Sequence, residues 1–550
     1  MRKILYLIAI SLIPVLSFGQ ESNSFANVKP VKNVILMIPD GCSLATYSTA
    51  RWYQWYTNPD KPKLNIDPYI CGTVRTTCSN APIGDSAPTT SCYMTGYPGL
   101  AGWVSTYPVA DAKNDIYPMD SARAYQPLTT VLEACRMLKN KATGLVCTCY
   151  FSHATPADCS AHNYNRNDNA GIVAQQVHNG VDVIIGGGDK NLTQEQEQYL
   201  VSKGYSVIRK DVAAMRQCTN DKMWALMADK ELAYDIDRDA TKEPSLAEMT
   251  EVAISKLSKS DNGFFLMVEG SKVDYCAHTN DPIGLVTEYL AFDHACKVAF
   301  DFAEKNGETA VIVVSDHGNS GLSIGRRDWH SYARDSKDKM FSALRGMKAS
   351  SDAVAYRLNK APFEDAQKVF QELCGFKLTE KELEALKYNK EYKSSPVPER
   401  DRKQHRNPLY SSGLSRMVAQ FMTERTGLAF TSNGHTGEEV LMAAYHPDQN
   451  CRPYGMLTNI ELNQYLCRLN GFTHESLDSL TESRYVPHTK VFAGNKCAIK
   501  DGKLTVKAKG HKYEITPNTN IIKVDGKEKE LESVVIYVDK NNTFYLPADL

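Results

Sequence analysis

Six runs of consecutive apolar residues punctuate the chain, most of them closed by a polar or glycine-rich turn. N-V-I-L-M-I at 33–38 ends in Pro39-Asp40-Gly41, and T-G-L-V-C-T at 143–148 is followed by His153-Ala154-Thr155-Pro156. V-D-V-I-I at 181–185 meets Gly186-Gly187-Gly188, G-F-F-L-M-V at 263–268 ends in Glu269-Gly270, and A-V-I-V-V-S at 310–315 ends in Asp316-His317-Gly318. L-M-A-A-Y at 441–445 follows His435 closely. Runs that are apolar throughout, separated by helical stretches, predict an α/β fold: a central, largely parallel sheet with helices on both faces. Ligands bind such sheets just beyond the carboxyl ends of the strands. That edge collects Asp40, Glu269, Asp316 and His317, with Thr155 a short loop beyond it.

The pattern changes twice. Residues 326–434 are polar and helix-rich, with a charged stretch S-S-P-V-P-E-R-D-R-K-Q-H at 394–405, and read as an insertion that covers or flanks the site. Residues 488–550 alternate instead, as in K-L-T-V-K-A-K and V-V-I-Y-V, with turns at Asp501-Gly502, Asp525-Gly526 and Asn541-Asn542. They read as a small β-rich appendage. The expected layout is a leader at 1–19, a catalytic domain at 20–487 carrying the insertion, and the appendage at 488–550.

In the leader, Arg2 and Lys3 precede ILYLIAISLIPVL and then Ser17, Phe18 and Gly19, the pattern of a secretory signal peptide cut near Gly19. The run is shorter than the ~20 apolar residues of a membrane span and contains Pro14, and no later segment is long and apolar enough. The expectation is a periplasmic or secreted protein without a membrane span. Lys plus Arg is 63 against 64 for Asp plus Glu, a formal net charge of −1, so no basic field attracts nucleic acid. The 15 cysteines include no C-x-x-C pair, so zinc-ribbon spacing is absent. An exported chain can form disulfides, although spacing does not reveal their pairing. Cys147 and Cys149, inside an apolar run, read as small core residues.

Candidate chemistry gathers around A-P-I-G-D-S-A-P-T-T-S-C-Y-M-T-G at 81–96. Asp85 and Ser86 fall at a helix start, where unpaired N–H groups and the helix dipole favour an anionic substrate and a nucleophilic hydroxyl. Asp-Ser in that position is by itself an ordinary cap. Further on, Asp274 and His278 are spaced to share one helix face after Glu269, a carboxylate–imidazole pair suited to zinc. Asp316-His317 and His435 add more nitrogen and oxygen donors, and Asp40 and Thr155 supply hard oxygens fit for magnesium. Arg166, in A-H-N-Y-N-R, offers a bidentate fork for phosphate. A hydroxyl, several metal ligands and an arginine are the parts of a two-metal phosphoryl-transfer site.

Taken together, Asp-Gly after the first strand, D-S-A at 85–87, H-A-T-P-A…R at 153–166, V-E-G-x-x-V-D…H at 268–278, S-D-H-G at 315–318 and G-H-T-G-E-E-V at 434–440 resemble the alkaline phosphatase family, in the family's order. The resemblance implies hydrolysis of phosphate monoesters through a phosphoserine on Ser86. It implies one zinc on Asp274, His278 and His435, and a second on Asp40, Asp316 and His317, beside Ser86. A magnesium would lie on Asp40, Thr155 and Glu269. Arg166 would clamp phosphate, oriented by Asp85, and the protein would be a homodimer. His153 and Tyr275 depart from residues common in the family and fall near the third metal.

Other readings stay open. Ser86-Ala87-Pro88 partly resembles a sulfatase pattern, but Thr90 stands where that pattern has Arg. Thr89 and Thr90 are alternative hydroxyls, as in the related phosphodiesterases. A metal-binding protein without activity is a third reading, opposed by the presence of Ser86. The remaining histidines (His162, His178, His294, His330, His405, His446, His474, His488, His511) read as surface or packing residues. Within that group His330 and His405, in the insertion, are the candidates for substrate or lid contacts.

Overall fold

The computed structural model describes residues 25–330, 332–394 and 413–550. The expected leader, most of the charged stretch at 394–405 and His405 lie outside the described residues.

All six apolar runs form strands, joined by four that hydropathy alone does not single out. In chain order they are β1 (Asn33–Pro39), β2 (Ile70–Arg75), β3 (Ala142–Tyr150), β4 (Val183–Gly187), β5 (Ser206–Arg209), β6 (Met223–Leu226), β7 (Phe264–Gly270), β8 (Thr309–Val314), β9 (Val440–Tyr445) and β10 (Gly455–Thr458). They make one sheet in the order β10-β2-β9-β8-β1-β7-β3-β4-β6-β5. Every pairing is parallel except those of β9, which runs antiparallel to both β8 and β2. An apolar run reports burial on two faces and not direction, so β9 looked like its neighbours in sequence.

Alternation within β1 shows why the strands are apolar throughout. Ile35 and Met37 join the core on one face of the sheet, and Val34, Leu36 and Ile38 join the core on the other. β7 divides in the same way, with Phe264, Leu266 and Val268 against Phe265 and Met267. Between β8 and β9 the chain leaves for the helices Lys337–Gly346, Ser351–Lys360, Ala366–Leu373, Glu380–Ser394 and Leu414–Thr423. Their apolar residues, among them Phe341, Val354, Phe370 and Phe421, join the first of the two cores.

The C-terminal residues form a five-stranded antiparallel sheet (Cys497–Lys500 through Lys527–Glu530) and a three-stranded one that pairs Val486–Pro487 and Ile536–Val538 with Thr543–Leu546. They have a separate core of residues such as Leu504, Ile515, Val535 and Phe544. Among the described residues no helix is long and apolar enough to cross a membrane.

Candidate metal centre and nucleophile

The ligand-type residues sit on strand ends that are neighbours in the sheet. Asp40 follows β1, Glu269 is the penultimate residue of β7, Asp316 and His317 lie just beyond β8, and His153 lies three residues past β3. Register pairs Glu269 with Ile38 on one side and Cys147 on the other, which brings its carboxylate level with the end of β1. Asp274 and His278 come from the helix Lys272–Thr279 that follows β7. Their approach needs a glycine opposite: Gly41 has φ +62°, and a Cβ there would lie 2.3 Å from Asp274 Oδ1.

Three sets of donor atoms converge, each within 4.8 Å of one another: Asp274, His278 and His435; Asp40, Asp316 and His317; and Asp40, His153 and Glu269. The imidazoles show what these sets can hold. Nδ1 of His278 lies 2.7 Å from the Asn433 carbonyl, that of His435 2.9 Å from the Gly84 carbonyl, and that of His317 3.0 Å from the Gly318 carbonyl. A carbonyl only accepts, so each Nδ1 donates, and a neutral ring then turns the lone pair of Nε2 inward. Nε2 of His278 and His435 are 3.2 Å apart, and Nε2 of His317 lies 3.4 Å from Asp316 Oδ2 and 3.5 Å from Asp40 Oδ1. With neutral rings acceptors face acceptors, an arrangement that either a proton, as on His278 beside Asp274, or a shared metal cation relieves. Three buried oxygens, Asp316 Oδ2, Glu269 Oε1 and Thr155 Oγ1, are unpartnered. The residues therefore fit divalent ions bound by nitrogen and oxygen.

The electrostatics agree. Asp40, Asp316 and Glu269 are fully buried. Burial, then the charges of Asp316, Asp274 and Glu269, hold the Asp40 carboxyl well above the usual carboxylate range. Burial together with Cys149 and Asp316 does the same to Glu269. Asp274 moves the other way, because His278, His317 and His435 outweigh its burial. The hydrogen bond to Asp274 raises His278 to about 9, while burial and His317 lower His435.

Ser86 opens the helix Ser86–Thr95, capped by Asp85, whose carboxylate accepts the Ser86 backbone N–H at 2.9 Å. Ser86 Oγ lies 3.3 Å from His317 Nε2 and 3.4 Å from Asp40 Oδ1, and lines a cavity of about 430 Å³. Thr89 and Thr90 are fully buried behind it and outside that lining, and the Thr89 hydroxyl donates to the Asp85 carbonyl at 2.7 Å. Arg166 reaches the cavity with Nη1 donating to Asp85 Oδ1 at 2.8 Å. Its Nη2 lies 3.3 Å from His153 Nε2, which must accept, since a guanidinium only donates. Burial and the Arg166 charge push His153 down to about 3, so it stays neutral.

Thr155 belongs to the first turn of the helix Ala154–Ser160 rather than to a loop. Tyr275 lines the cavity, and its ring stands 6.0 Å from that of His153. Sequence reasoning missed four contributors. Asn319 Nδ2 donates to Asp274 Oδ1 at 2.6 Å, and Cys149 Sγ donates to Glu269 Oε2 at 3.4 Å. Tyr234 and Asp352 line the cavity. Asn319, two residues beyond His317, was the one that proximity in sequence could have flagged. All 15 cysteines are free thiols. The remaining described histidines join none of the donor sets, and His330 is exposed.

A family model described as alkaline phosphatase matches residues 31–469. Alkaline phosphatase 3 of Bacillus subtilis (strain 168) is 31% identical over 456 residues, 79% of this chain and 88% of that protein. Alkaline phosphatase 4 of the same organism is 31% identical over 455 residues, 78% and 87% of the two chains. Among solved structures, the cold-active alkaline phosphatase of a psychrophilic Shewanella species superposes with a TM-score of 0.66 at 25% identity, covering 80% of this chain and 99% of that one. The Thermus thermophilus enzyme gives 0.68 at 22% identity, over 86% and 100%.

Proposed function

The chain belongs to the alkaline phosphatase family and hydrolyses phosphate monoesters, and we propose how its own residues divide that work. Ser86 is the nucleophile: its Oγ attacks phosphorus, the ester oxygen leaves as the alcohol, and water then releases phosphate from the phosphoserine. The observation that carries this role is the placement of Ser86 Oγ in the cavity, next to His317 and Asp40, while Thr89 and Thr90 lie outside its lining. The positive end of the helix dipole at Ser86 favours an anion there, although the Ser86 N–H is already taken by Asp85 and Pro88 has none to offer. Arg166 presents its fork to two phosphoryl oxygens, and Asp85 holds the guanidinium in place.

Asp274, His278 and His435 would hold one zinc, and Asp40, Asp316 and His317 a second. Asp40, Thr155 and Glu269 would hold magnesium, with His153 beside them and Tyr275 against His153. When bound, such cations supply positive charge against that developing on the phosphoryl oxygens. The hard oxygens of Asp40, Thr155 and Glu269, with Glu269 Oε1 and Thr155 Oγ1 buried and lacking hydrogen-bond partners, support magnesium at the third position. Cys149 and Asn319 fix the carboxylates of Glu269 and Asp274 from behind.

Export belongs to the same reading and rests on residues 1–19, with the periplasm or the medium as destination. Homodimerisation rests on the family resemblance, supported by the exposed Leu44, Trp52 and Trp55 on one helix, Leu44–Thr57. Light scattering on purified protein tests it.

The decisive experiment is kcat/KM for an aryl phosphate monoester and the matching diester on zinc- and magnesium-loaded protein. A strong monoester preference that chelation removes is expected. A diester preference would overturn the roles given to Ser86 and Arg166.

A further inference from the structure

Resting on that reading of the cavity, we propose that Asp352, with Tyr234, forms a subsite for the leaving alcohol that selects phosphate monoesters of amino alcohols, whose alcohol carries an ammonium group. The argument begins with the charges that line the cavity. Asp85 and Arg166 pair at 2.8 Å, and Asp274 is engaged by His278 at 3.3 Å. Asp352 is the one remaining carboxylate of the lining, and among the described residues it makes no ion pair. Its recorded partner is the Tyr234 hydroxyl, which donates to Oδ2 at 3.0 Å.

Asp352 is also held firmly. It lies in the first turn of the helix Ser351–Lys360, where the positive end of the helix favours negative charge. The backbone N–H of Ser351 donates to Asp281 Oδ2 at 2.6 Å, and that of Ser350 to Asp237 Oδ1 at 3.0 Å. Asp281 also caps the long helix Pro282–Asn306, accepting from Ile283 and Gly284, and lies three residues past His278. One carboxylate thus ties the inserted helix to the segment that carries the metal-type ligands.

The nearby cation, Lys272, makes no ion pair with Asp352. Lys272 is 4% exposed, stacks 3.7 Å from the Tyr234 ring centroid and donates to the Leu232 carbonyl at 2.9 Å. Its charge acts on Asp237 and Glu288 inside the wall. The lining thus combines the Asp352 carboxylate with the phenols of Tyr234 and Tyr275, and the carboxylate is what attracts an alkylammonium ion, since Lys272 already lies 3.7 and 5.5 Å from the two ring centroids. A cavity of about 430 Å³ accommodates a phosphate and a small alcohol together.

Phosphocholine, its neutral carbon isostere 3,3-dimethylbutyl phosphate and the anionic phosphoglycolate test this on the metal-loaded enzyme. In the wild type, kcat/KM for phosphocholine should exceed that for the isostere by about tenfold, with phosphoglycolate poorest. Asp352→Asn should bring the ratio close to one, and raising the salt concentration should shrink it in the wild type. The salt series decides the matter even if the variant fails to fold. A wild-type ratio near one, or a ratio that neither the variant nor salt moves, overturns the subsite. No turnover of the neutral isostere or of an aryl phosphate would overturn the assigned catalytic roles instead.

Discussion

Asp85 Oδ1 accepts Arg166 Nη1 at 2.8 Å while also accepting, at 2.9 Å, the backbone N–H of the nucleophile Ser86. One carboxylate oxygen therefore sets both the phosphate clamp and the start of the nucleophile helix. Arg166→Ala removes two charge-assisted hydrogen bonds to phosphate, each worth about 1.5–3 kcal/mol, part of which water restores. Competitive inhibition by inorganic phosphate should weaken about 10- to 100-fold, and kcat should fall less. An unchanged inhibition constant would show that Arg166 does not touch phosphate.

Ser86→Ala should lower kcat by at least about three orders of magnitude, because the remaining groups bind substrate but no longer form the covalent intermediate. Acid quenching with labelled substrate should trap phosphate on the wild type and not on the variant. Label retained by the variant would move the nucleophile to another hydroxyl, although Thr89 and Thr90 are fully buried.

The signs of two pKa shifts make pH a further test of the metal-free protein. Burial of Asp85 is outweighed by Arg166, His317 and His435, so its carboxyl is held below 3.8. The stabilisation it brings is fully present above 3.8 and is lost as pH falls through the depressed value. His278 runs the opposite way, raised from 6.5 to about 9 chiefly by its hydrogen bond to Asp274. Its contribution is fully present below pH 6.5 and is lost as pH rises through about 9. Urea midpoints of chelated wild type should decline between these limits more steeply than those of chelated His278→Gln. Parallel curves would remove His278 from the account.

Much of this architecture was legible because its signals are local. A buried strand with a polar residue at its end marks itself, so Asp40, Glu269 and Asp316 could be placed on one edge before any contact was known. The helix starting at Ser86 and the Asp274–His278 face followed from capping and spacing. What stayed hidden depends on contacts between distant residues. The reversed direction of β9, the short outer strands β5, β6 and β10, and the pairing of Asp352 with Tyr234 across 118 positions leave no periodic trace. Cys149 looked like core filling, and is buried as expected, but its thiol also meets the Glu269 carboxylate. The polarity of residues 326–434 set them apart in sequence, but gave no sign that Asp352 would line the cavity.

The carboxylate cluster predicts an inverted response to a ligand mutation. Asp40 and Asp316 are both fully buried, and their mutual repulsion is part of what raises the Asp40 pKa. Without metal, Asp316→Asn removes one like charge and should stabilise the protein by about 1–3 kcal/mol against urea. With zinc and magnesium added, the order should reverse, because the wild type gains binding energy that the variant has lost. If chelated Asp316→Asn is no more stable than chelated wild type, a proton already neutralises Asp40 and the repulsion argument fails.

The C-terminal module should brace Arg166. Tyr164, two residues before it, hydrogen-bonds Asp539 of the module and packs edge-on against Trp103 and Tyr125. The Arg166 backbone N–H donates to the Gly102 carbonyl at 2.8 Å, next to Trp103 in sequence. Nearby, the Tyr485 hydroxyl lies 2.8 Å from the buried His162, and Tyr485 shares a buried apolar cluster with Val534 and Ile536 of the module. Tyr164→Ala should therefore loosen the clamp and weaken phosphate inhibition several-fold, less than Arg166→Ala does, since it disturbs position and leaves the charge. Asp539→Ala should give a smaller change of the same sign. In a double-mutant cycle the Arg166→Ala and Tyr164→Ala effects on phosphate inhibition should be strongly non-additive, because a brace has no effect once the arginine is gone. Additive effects would mean that Tyr164 acts on phosphate by another route, and that the module supports the fold without supporting the site.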